Sequence, residues 1–164
     1  MRGGEGSGKT TLLRLLAGDV PVQAGDLQIG DVHLAQNAAA YRQQVFRMDP
    51  RTSAFDAITP LDYFKTVQRQ YPGFDSGAVD GLIEGLSLAP FQDKPLYMLS
   101  TGSKRKVWLA AAFASRAAVA LLDEPFAALD RKSIDFVKLL LQGAAGHSTR
   151  AWVLAGYEAP ADVP

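Results

Sequence analysis

Residues 3–10 combine glycines, a lysine and a hydroxyl at a spacing that could hold a chain of phosphates. The segment reads Gly-Gly-Glu-Gly-Ser-Gly-Lys-Thr. Its glycines allow consecutive backbone N–H groups to turn toward an anion, Lys9 adds a positive charge, and the Thr10 hydroxyl suits Mg²⁺. The apolar helical spacing of residues 10–18 disfavours the alternative of an ordinary glycine-rich turn. We therefore predict a phosphate-binding loop made of Gly3, Gly4, Glu5, Gly6, Ser7, Gly8, Lys9, Thr10 and Thr11.

A pair of carboxylates follows the apolar run of residues 118–122. Such a run predicts a central parallel strand, which would deliver Asp123 and Glu124 to the sheet edge where ligands bind. Asp123 could hold Mg²⁺ through water opposite Thr10, and Glu124 could polarise an attacking water as a general base. The alternative is a solvated acidic turn, which the upstream phosphate loop makes the less favoured interpretation.

A second candidate anion site lies at Ser100, Thr101, Gly102 and Ser103, where a serine and a glycine open a helix. A single nucleotide site within one monomer does not need two phosphate-binding segments. The pattern therefore favours a nucleotide sandwiched between two copies of the chain. The basic run of residues 104–106 fits either this site or the solvated face of the helix, and both interpretations stay open.

The elements that must position these residues alternate between helices and strands. Helical spacing predicts helices over 10–18, 61–71, 77–88, 103–115 and 131–141. Strands are predicted over 44–48, 118–122 and 151–155, with two short strands joined by a turn within 22–34. The alternation predicts an α/β fold with a mostly parallel sheet. We expect one domain over residues 1–164, with a small helical subdomain inserted at about 61–105.

Composition narrows the functional class. The chain has 164 residues, which is enough for a sizeable core, and its 17 basic and 17 acidic residues give no argument for a nucleic-acid partner. The absence of cysteine excludes disulfides and thiolate metal sites and suits the cytoplasm. The most apolar stretch, residues 108–122, is too short to span a bilayer and contains Arg116. A role at a membrane would need another chain to do the spanning.

The order of the motifs resembles that of the ATP-binding cassette (ABC) ATPases, which are P-loop NTPases. The phosphate loop is followed by Leu-Ser-Thr-Gly, then by Leu-Leu-Asp-Glu-Pro, and then by Asp130 at the end of Phe-Ala-Ala-Leu-Asp. The resemblance extends from residue 3 to about residue 158. Within the family, the sequence is most similar to exporter cassettes. The resemblance implies an ATP-binding and ATP-hydrolysing subunit with Mg²⁺ that powers export through a separate transmembrane permease, at the cytoplasmic face of the membrane.

The resemblance also implies a role for each motif. Lys9 and the loop backbone would hold the β- and γ-phosphates, Thr10 and Asp123 would hold Mg²⁺, and Glu124 would activate water. Hydrolysis would require a head-to-tail homodimer or heterodimer, across which Asp130 communicates. The signature segment would contact the nucleotide of the partner subunit through Ser100, Thr101, Gly102 and Ser103.

Four departures from the family pattern are visible. The phosphate loop begins at residue 3, so we expect the preceding strand and the adenine-stacking aromatic residue to be missing from this sequence. Asp49 is the best polar candidate where the family has a metal-contacting glutamine, and Tyr157 stands where it has a histidine. Tyrosine can donate a hydrogen bond but is uncharged at neutral pH. Thr101 and Ser103 replace the usual glycine and glutamine. We expect hydrolysis to be retained but slow.

Three other functions are compatible with parts of the pattern. A regulatory nucleotide-binding module with weak or no hydrolysis is favoured by Tyr157 and the altered signature segment. A soluble cassette ATPase acting on nucleic acid or ribosomes would usually carry coiled coils or paired cassettes, and no heptad run is present. A small-molecule kinase would leave the signature segment and the Asp123–Glu124 pair unexplained.

Overall fold

The chain alternates between helices and strands, as its sequence predicts. The computed structural model describes residues 1, 3–4, 6–146 and 149–156. In chain order the elements are α1 (Lys9–Leu16), β1 (Gln28–Ile29), β2 (Val32–His33), α2 (Ala38–Arg42), β3 (Val45–Met48), α3 (Pro60–Gln70), α4 (Val79–Gly85), α5 (Thr101–Ala114), β4 (Val119–Asp123), α6 (Arg131–Ala145) and β5 (Ala151–Ala155).

A three-stranded parallel sheet in the order β3–β4–β5 forms the centre of the structure. Strand β4 is paired on both sides, with Val119 opposite Val45 of β3 and opposite Ala151 of β5. Asp123, the last residue of β4, lies opposite Ala155. The central strand therefore ends with a carboxylate at the carboxyl edge of the sheet, where ligands of parallel sheets bind. Strands β1 and β2 form a separate antiparallel pair.

Helices cover both faces of the parallel sheet. Leu121 of β4 belongs to a hydrophobic cluster with Leu13 of α1, whereas Leu122 belongs to a second cluster with Val107 of α5 and Val137 of α6. Neighbouring residues of a strand point to opposite faces, so this division places α1 on one face and α5 and α6 on the other. Burial on both faces explains why residues 119–122 of β4 are all apolar.

Side chains and one glycine fix where the functional helices begin. Gly8 precedes α1 with φ 81°, a left-handed conformation that glycine adopts at little cost. Ser100 caps α5 and Asp130 caps α6, each by accepting a hydrogen bond from a backbone N–H three residues later. Each of these three helices therefore starts at a residue that the sequence assigns to a functional motif.

The predicted elements differ from the structure in a few places. Helix α2 is not among the predicted helices, and α6 runs four residues beyond its predicted end at residue 141. The predicted helix over 77–88 is a 3₁₀ turn (Ser76–Ala78) followed by the shorter α4. Helices α3 and α4 share one hydrophobic cluster with β3 and α5, and the boundary of a helical subdomain at 61–105 stays a prediction. No helix in the described part of the chain is long and apolar enough to cross a membrane.

Candidate nucleotide site

The Thr10 hydroxyl lies against the carboxylate of Asp123. Thr10 Oγ1 donates a hydrogen bond of 2.7 Å to Asp123 Oδ2, and the Asp123 residue is only 7% exposed. Helix α1 supplies the hydroxyl from its first turn, and β4 supplies the carboxylate from its last residue. The two predicted magnesium ligands are therefore neighbours in space although they are far apart in sequence.

The phosphate loop wraps around the side chain of Lys9. Lys9 Nζ donates hydrogen bonds to the carbonyl oxygens of Gly3 (2.6 Å) and Gly4 (2.9 Å) and to Ser7 Oγ (3.2 Å). Gly6 has φ 76°, a left-handed value that side chains rarely adopt. The loop thus closes around the lysine charge just before the N-terminus of α1, which is a favourable place for an anion. Glu5 lies outside the described residues.

An open cleft of about 620 Å³ connects the predicted motifs. Its lining includes Lys9 and Thr10 at the loop, Asp123 and Glu124 after β4, and Thr101 at the start of α5. The remaining lining residues are Gly6, Ser7, Gly8, Thr11, Pro50, Arg51, Arg105 and Ala127. Residues from the three motifs, which are widely separated in the sequence, therefore line one space.

Glu124 occupies a strained backbone position beside the cleft. Its φ is 48°, in the left-handed region that is uncommon for residues other than glycine, and its N–H donates a 2.7 Å hydrogen bond to Ala155 O of β5. Such strained positions persist only where surrounding contacts hold them, and they cluster at functional sites. The carboxylate predicted to act as a general base is therefore presented at a sharp turn directly after the strand.

The signature segment is anchored by its own hydrogen bonds. Ser100 Oγ accepts a hydrogen bond from the Ser103 N–H (3.1 Å) and donates one to Ser103 Oγ (3.0 Å). Ser100 and Thr101 are exposed, and Thr101 lines the cleft. Gly102 is buried, and a Cβ added there would lie 2.2 Å from the carbonyl oxygen of Ala128. Gly102 thus allows a close approach of α5 to the loop after Glu124, and a contact between this segment and a partner's nucleotide stays a prediction.

Asp130 has a structural role at the N-terminus of α6. It accepts a hydrogen bond from the Ser133 N–H (2.9 Å) and forms an ion pair of 2.5 Å with Lys106. The Lys106 ammonium and the Ser133 N–H together hold the pKa of Asp130 well below its usual range. Communication across a dimer through Asp130 stays a prediction.

The structure does not bring Asp49 into the cleft. Asp49 forms an ion pair of 3.0 Å with Arg47 and accepts a 3.1 Å hydrogen bond from the Arg51 N–H. Pro50 and Arg51 line the cleft instead. The chain bends immediately after β3, so a shift of one or two residues decides which side chain faces the cleft. A metal-binding role for Asp49 stays a prediction. Tyr157 lies outside the described residues, so its assignment stays a prediction.

Two arginines of the cleft, Arg51 and Arg105, are not singled out by sequence reasoning. Asp49 is the more attractive polar candidate beside Arg51, and Arg105 lies within the basic run of residues 104–106. Arg105 is 6% exposed and Lys106 is 9% exposed. The solvated helix face, which is the second interpretation of the basic run, is therefore wrong for Arg105 and Lys106. The signal in the sequence is that three consecutive cations are followed directly by an apolar run over residues 107–114 of the same helix.

The oxygen atoms at Thr10 and Asp123 suit a magnesium ion. Mg²⁺ prefers oxygen ligands, keeps several waters and is usually held by one or two protein groups together with phosphates of the substrate. A hydroxyl and a carboxylate 2.7 Å apart fit that mode of binding. Within residues 1, 3–4, 6–146 and 149–156, no group of three or more His, Cys, Asp or Glu side chains could form an all-protein cage.

Comparison with known proteins decides the family. Residues 1–127 match the family model described as ABC transporter. The chain belongs to the ABC transporter family. The match includes the phosphate loop, the signature segment and the Asp123–Glu124 pair.

A relative and two solved structures agree with this assignment. The cytochrome c biogenesis ATP-binding export protein CcmA of Yersinia pestis bv. Antiqua is 30% identical over 146 residues, which cover 88% of this chain and 67% of the relative. The chain thus spans about two thirds of that protein's length. An ATP-binding subunit of an ABC transporter aligns with a TM-score of 0.83 and 20% identity, covering 94% of this chain and 65% of the other.

The second structure is a dimeric ATP-binding cassette in a post-hydrolysis state with ADP and Pi bound. It aligns with a TM-score of 0.76 and 22% identity over 96% of this chain and 73% of the other. At these identities the structures establish the fold alone. Together the comparisons confirm the predicted family, the α/β P-loop NTPase fold, the function class of a transporter ATPase subunit, and ATP as the nucleotide.

Proposed function

We propose that this chain hydrolyses ATP in the cleft between its phosphate loop and Glu124, and that a separate membrane permease uses the resulting conformational change for export. The observation that carries the proposal is the 2.7 Å contact between Thr10 and Asp123, which supports a magnesium site beside both the loop and the candidate base.

The loop and the two carboxylates divide the chemical work. Lys9 and the backbone N–H groups of residues 6–8 bind the β- and γ-phosphates. Thr10 and Asp123 hold Mg²⁺, which when bound neutralises charge on the phosphate oxygens. Glu124 accepts a hydrogen bond from a water and orients it for attack on the γ-phosphate. Because phosphoryl transfer depends mainly on positioning and electrostatics, the strained turn at Glu124 supports this assignment.

The exposed signature segment supports completion of the site by a second copy or a related subunit. Ser100 and Thr101 are exposed at the N-terminus of α5, a helix of 14 residues, where backbone N–H groups favour an anion. Thr101 also lines the open cleft. A head-to-tail dimer would place this helix end on the γ-phosphate bound by the partner, and the dimeric cassette with ADP and Pi is a structural neighbour of this chain.

The export role rests on the relatives. The similar protein of Yersinia pestis is named as an ATP-binding export protein of cytochrome c biogenesis. We propose that this chain likewise works in export at the cytoplasmic face of a membrane, with a permease subunit that spans the bilayer. ATP binding would favour one arrangement of the two ATPase subunits and hydrolysis another, so each nucleotide state would bias the permease through its differential affinity.

A complementation assay tests both hydrolysis and the shared site. Lys9→Ala removes the loop cation, and Ser100→Arg blocks the signature segment while leaving the loop intact. Each variant alone should release phosphate from ATP at background rate. A mixture of the two should recover activity, because a mixed dimer contains one site built from an intact loop and an intact signature segment.

The control is Lys65→Ala, which removes an exposed lysine of α3 that pairs with Asp62. This variant should hydrolyse ATP at the wild-type rate. A wild-type rate no higher than that of Lys9→Ala would contradict the proposed hydrolysis. A mixture no more active than the two separate variants would contradict the shared site.

A further inference from the structure

Arg105 is a buried cation that none of the motif assignments uses. It lies in the second turn of α5, is 6% exposed, and lines the cleft together with Asp123 and Glu124. A buried guanidinium is stable only when acceptors or negative charges compensate for its lost hydration. The groups that contact the Arg105 guanidinium therefore indicate its role.

One end of the guanidinium is fixed to the loop that carries Glu124. Arg105 Nη1 donates a short hydrogen bond to the carbonyl oxygen of Ala127. The Ala127 N–H in turn donates a 3.2 Å hydrogen bond to Glu124 O, and the Leu129 N–H donates one to Phe126 O, so two overlapping turns cover residues 124–129. We call this segment the catalytic turn. Arg105 thus reaches from α5 to the backbone of the turn that presents the candidate base.

The catalytic turn combines strained backbone with long internal hydrogen bonds. Glu124 and Ala128 both have left-handed φ values, 48° and 58°. Its two internal hydrogen bonds, at 3.2 Å and 3.3 Å, are both long. A strained segment keeps its conformation only where neighbouring contacts over-determine it. The bond from Arg105 is a charge-assisted hydrogen bond, which is stronger than a neutral one.

The electrostatic surroundings of Arg105 also connect it with Glu124. Burial lowers the pKa of Arg105, and the carboxylates of Glu124 and Asp123 oppose this shift. The Nε of Arg105 is buried and has no hydrogen-bond partner among the described residues. A buried donor without a partner is costly, and such costs are tolerated where the group has a role in the site. The arginine therefore supplies positive charge beside two adjacent carboxylates in a cleft that must also admit a triphosphate.

We propose that Arg105 is a positioning residue for Glu124, holding the catalytic turn against α5 and offsetting the charge of the two carboxylates. The inference rests on the proposed function, because it gives Glu124 the role of base. Arg105, the middle residue of the basic run after the signature segment, thereby has a positioning role. It also couples α5 to the base of the same subunit, since Gly102 and Lys106 pack on Ala128 and Asp130 in the same region.

Hydrogen exchange of the catalytic turn tests the positioning directly and needs no turnover. In Arg105→Met, the hydrogen-bonded backbone amides of Glu124, Ala127 and Leu129 should exchange about tenfold faster, because a charge-assisted hydrogen bond to the turn is lost. Arg105→Lys should restore part of the protection, since lysine can still donate to Ala127 O. The matched control is Lys104→Met, because Lys104 is the preceding cation of α5 and pairs with Asp56 instead (2.6 Å). It should leave the turn unchanged.

Steady-state ATP turnover supplies the second readout. Arg105→Met should lower kcat about 10- to 100-fold and change KM by less than about threefold, because displacing a base affects the chemical step more than phosphate binding. Arg105→Lys should recover part of kcat.

Unchanged exchange of the Glu124, Ala127 and Leu129 amides in Arg105→Met would overturn the inference. So would faster exchange with unchanged kcat in an active wild type. If the wild type itself does not hydrolyse ATP, the proposed function fails while the exchange result still decides the role of Arg105 in holding the turn.

Discussion

Thr10 Oγ1 and Asp123 Oδ2 lie 2.7 Å apart although 113 positions separate them in the chain. The contact joins the first turn of α1 to the end of β4, and so joins the phosphate loop to the strand that carries the candidate base. Two oxygen groups held this close in a nearly buried position form a suitable start for a magnesium site.

Removal of the Thr10 hydroxyl should weaken the use of magnesium. We expect Thr10→Val to raise the Mg²⁺ concentration for half-maximal ATP turnover about tenfold, since groups that ligate or orient ligands typically matter by about 10- to 100-fold. A magnesium titration of turnover at saturating ATP measures this. Thr66→Val is the matched control, because Thr66 donates a hydrogen bond to Asp62 O within α3. An equal magnesium requirement in wild type and Thr10→Val would contradict the assignment.

Gly102 should be intolerant of even one methyl group. A Cβ there would lie 2.2 Å from Ala128 O, so α5 and the catalytic turn would have to separate. We expect Gly102→Ala to lower the free energy of unfolding by about 1–3 kcal/mol, the usual range for overpacking, and to slow turnover as well. Urea denaturation and phosphate release measure the two effects.

A glycine-to-alanine substitution at an open helical position should stabilise the protein instead of destabilising it. At Gly81 of α4, an added Cβ would have no neighbouring atom within 4 Å. Gly81→Ala should therefore raise the free energy of unfolding by about 0.4–1 kcal/mol, because alanine has less freedom in the unfolded chain. If both glycine variants were stabilised alike, the close approach at Gly102 would be wrong.

The sequence predicts the sheet and the helix starts well because local signals coincide with tertiary burial there. Strand β5 is predicted at its observed residues, since a short apolar run between Arg150 and Gly156 is typical of a strand in a sheet. Helix α2 is missed because it has five residues, Ala-Ala-Ala-Tyr-Arg, and Tyr41 alone is buried, which gives no periodic pattern.

The role of the basic run could not be predicted because it depends on packing between segments distant in sequence. Lys104, Arg105 and Lys106 are consecutive, yet their acceptors are Asp56, Ala127 O and Asp130. Helical spacing sends adjacent side chains about 100° apart, so the three cations reach different partners. Asp49 illustrates the complementary difficulty, since a turn after β3 directs Arg51 and not Asp49 toward the cleft.

The ion pair between Asp130 and Lys106 should make stability depend on pH in a defined direction. The folded pKa of Asp130 is lowered, first by Lys106 and then by the Ser133 N–H. The stabilisation is therefore fully present above the unfolded pKa, near about 4, and is lost as pH falls through the lower folded value. Asp130→Asn keeps a capping oxygen but loses the charge, so it should cost less than about 1 kcal/mol at this half-exposed site.

Urea unfolding at several pH values checks this expectation. The difference in unfolding free energy between wild type and Asp130→Asn should stay constant from about pH 7 to about pH 4 and shrink only below that value. Asp130→Ala, which also removes the cap of α6, should cost about 1 kcal/mol more. A difference that already disappears at about pH 5–6 would mean that another group titrates there.

The most direct test of hydrolysis in this cleft is ATP turnover by Glu124→Gln beside the wild type. The amide keeps the size of the side chain and removes its basicity. We expect this variant to bind ATP with an affinity within about threefold of the wild type, and its steady-state phosphate release to fall by about 100-fold or more. Equal rates at background level in both proteins would contradict catalysis and leave a nucleotide-binding module without hydrolysis. Equal rates well above background would show that another group activates the water.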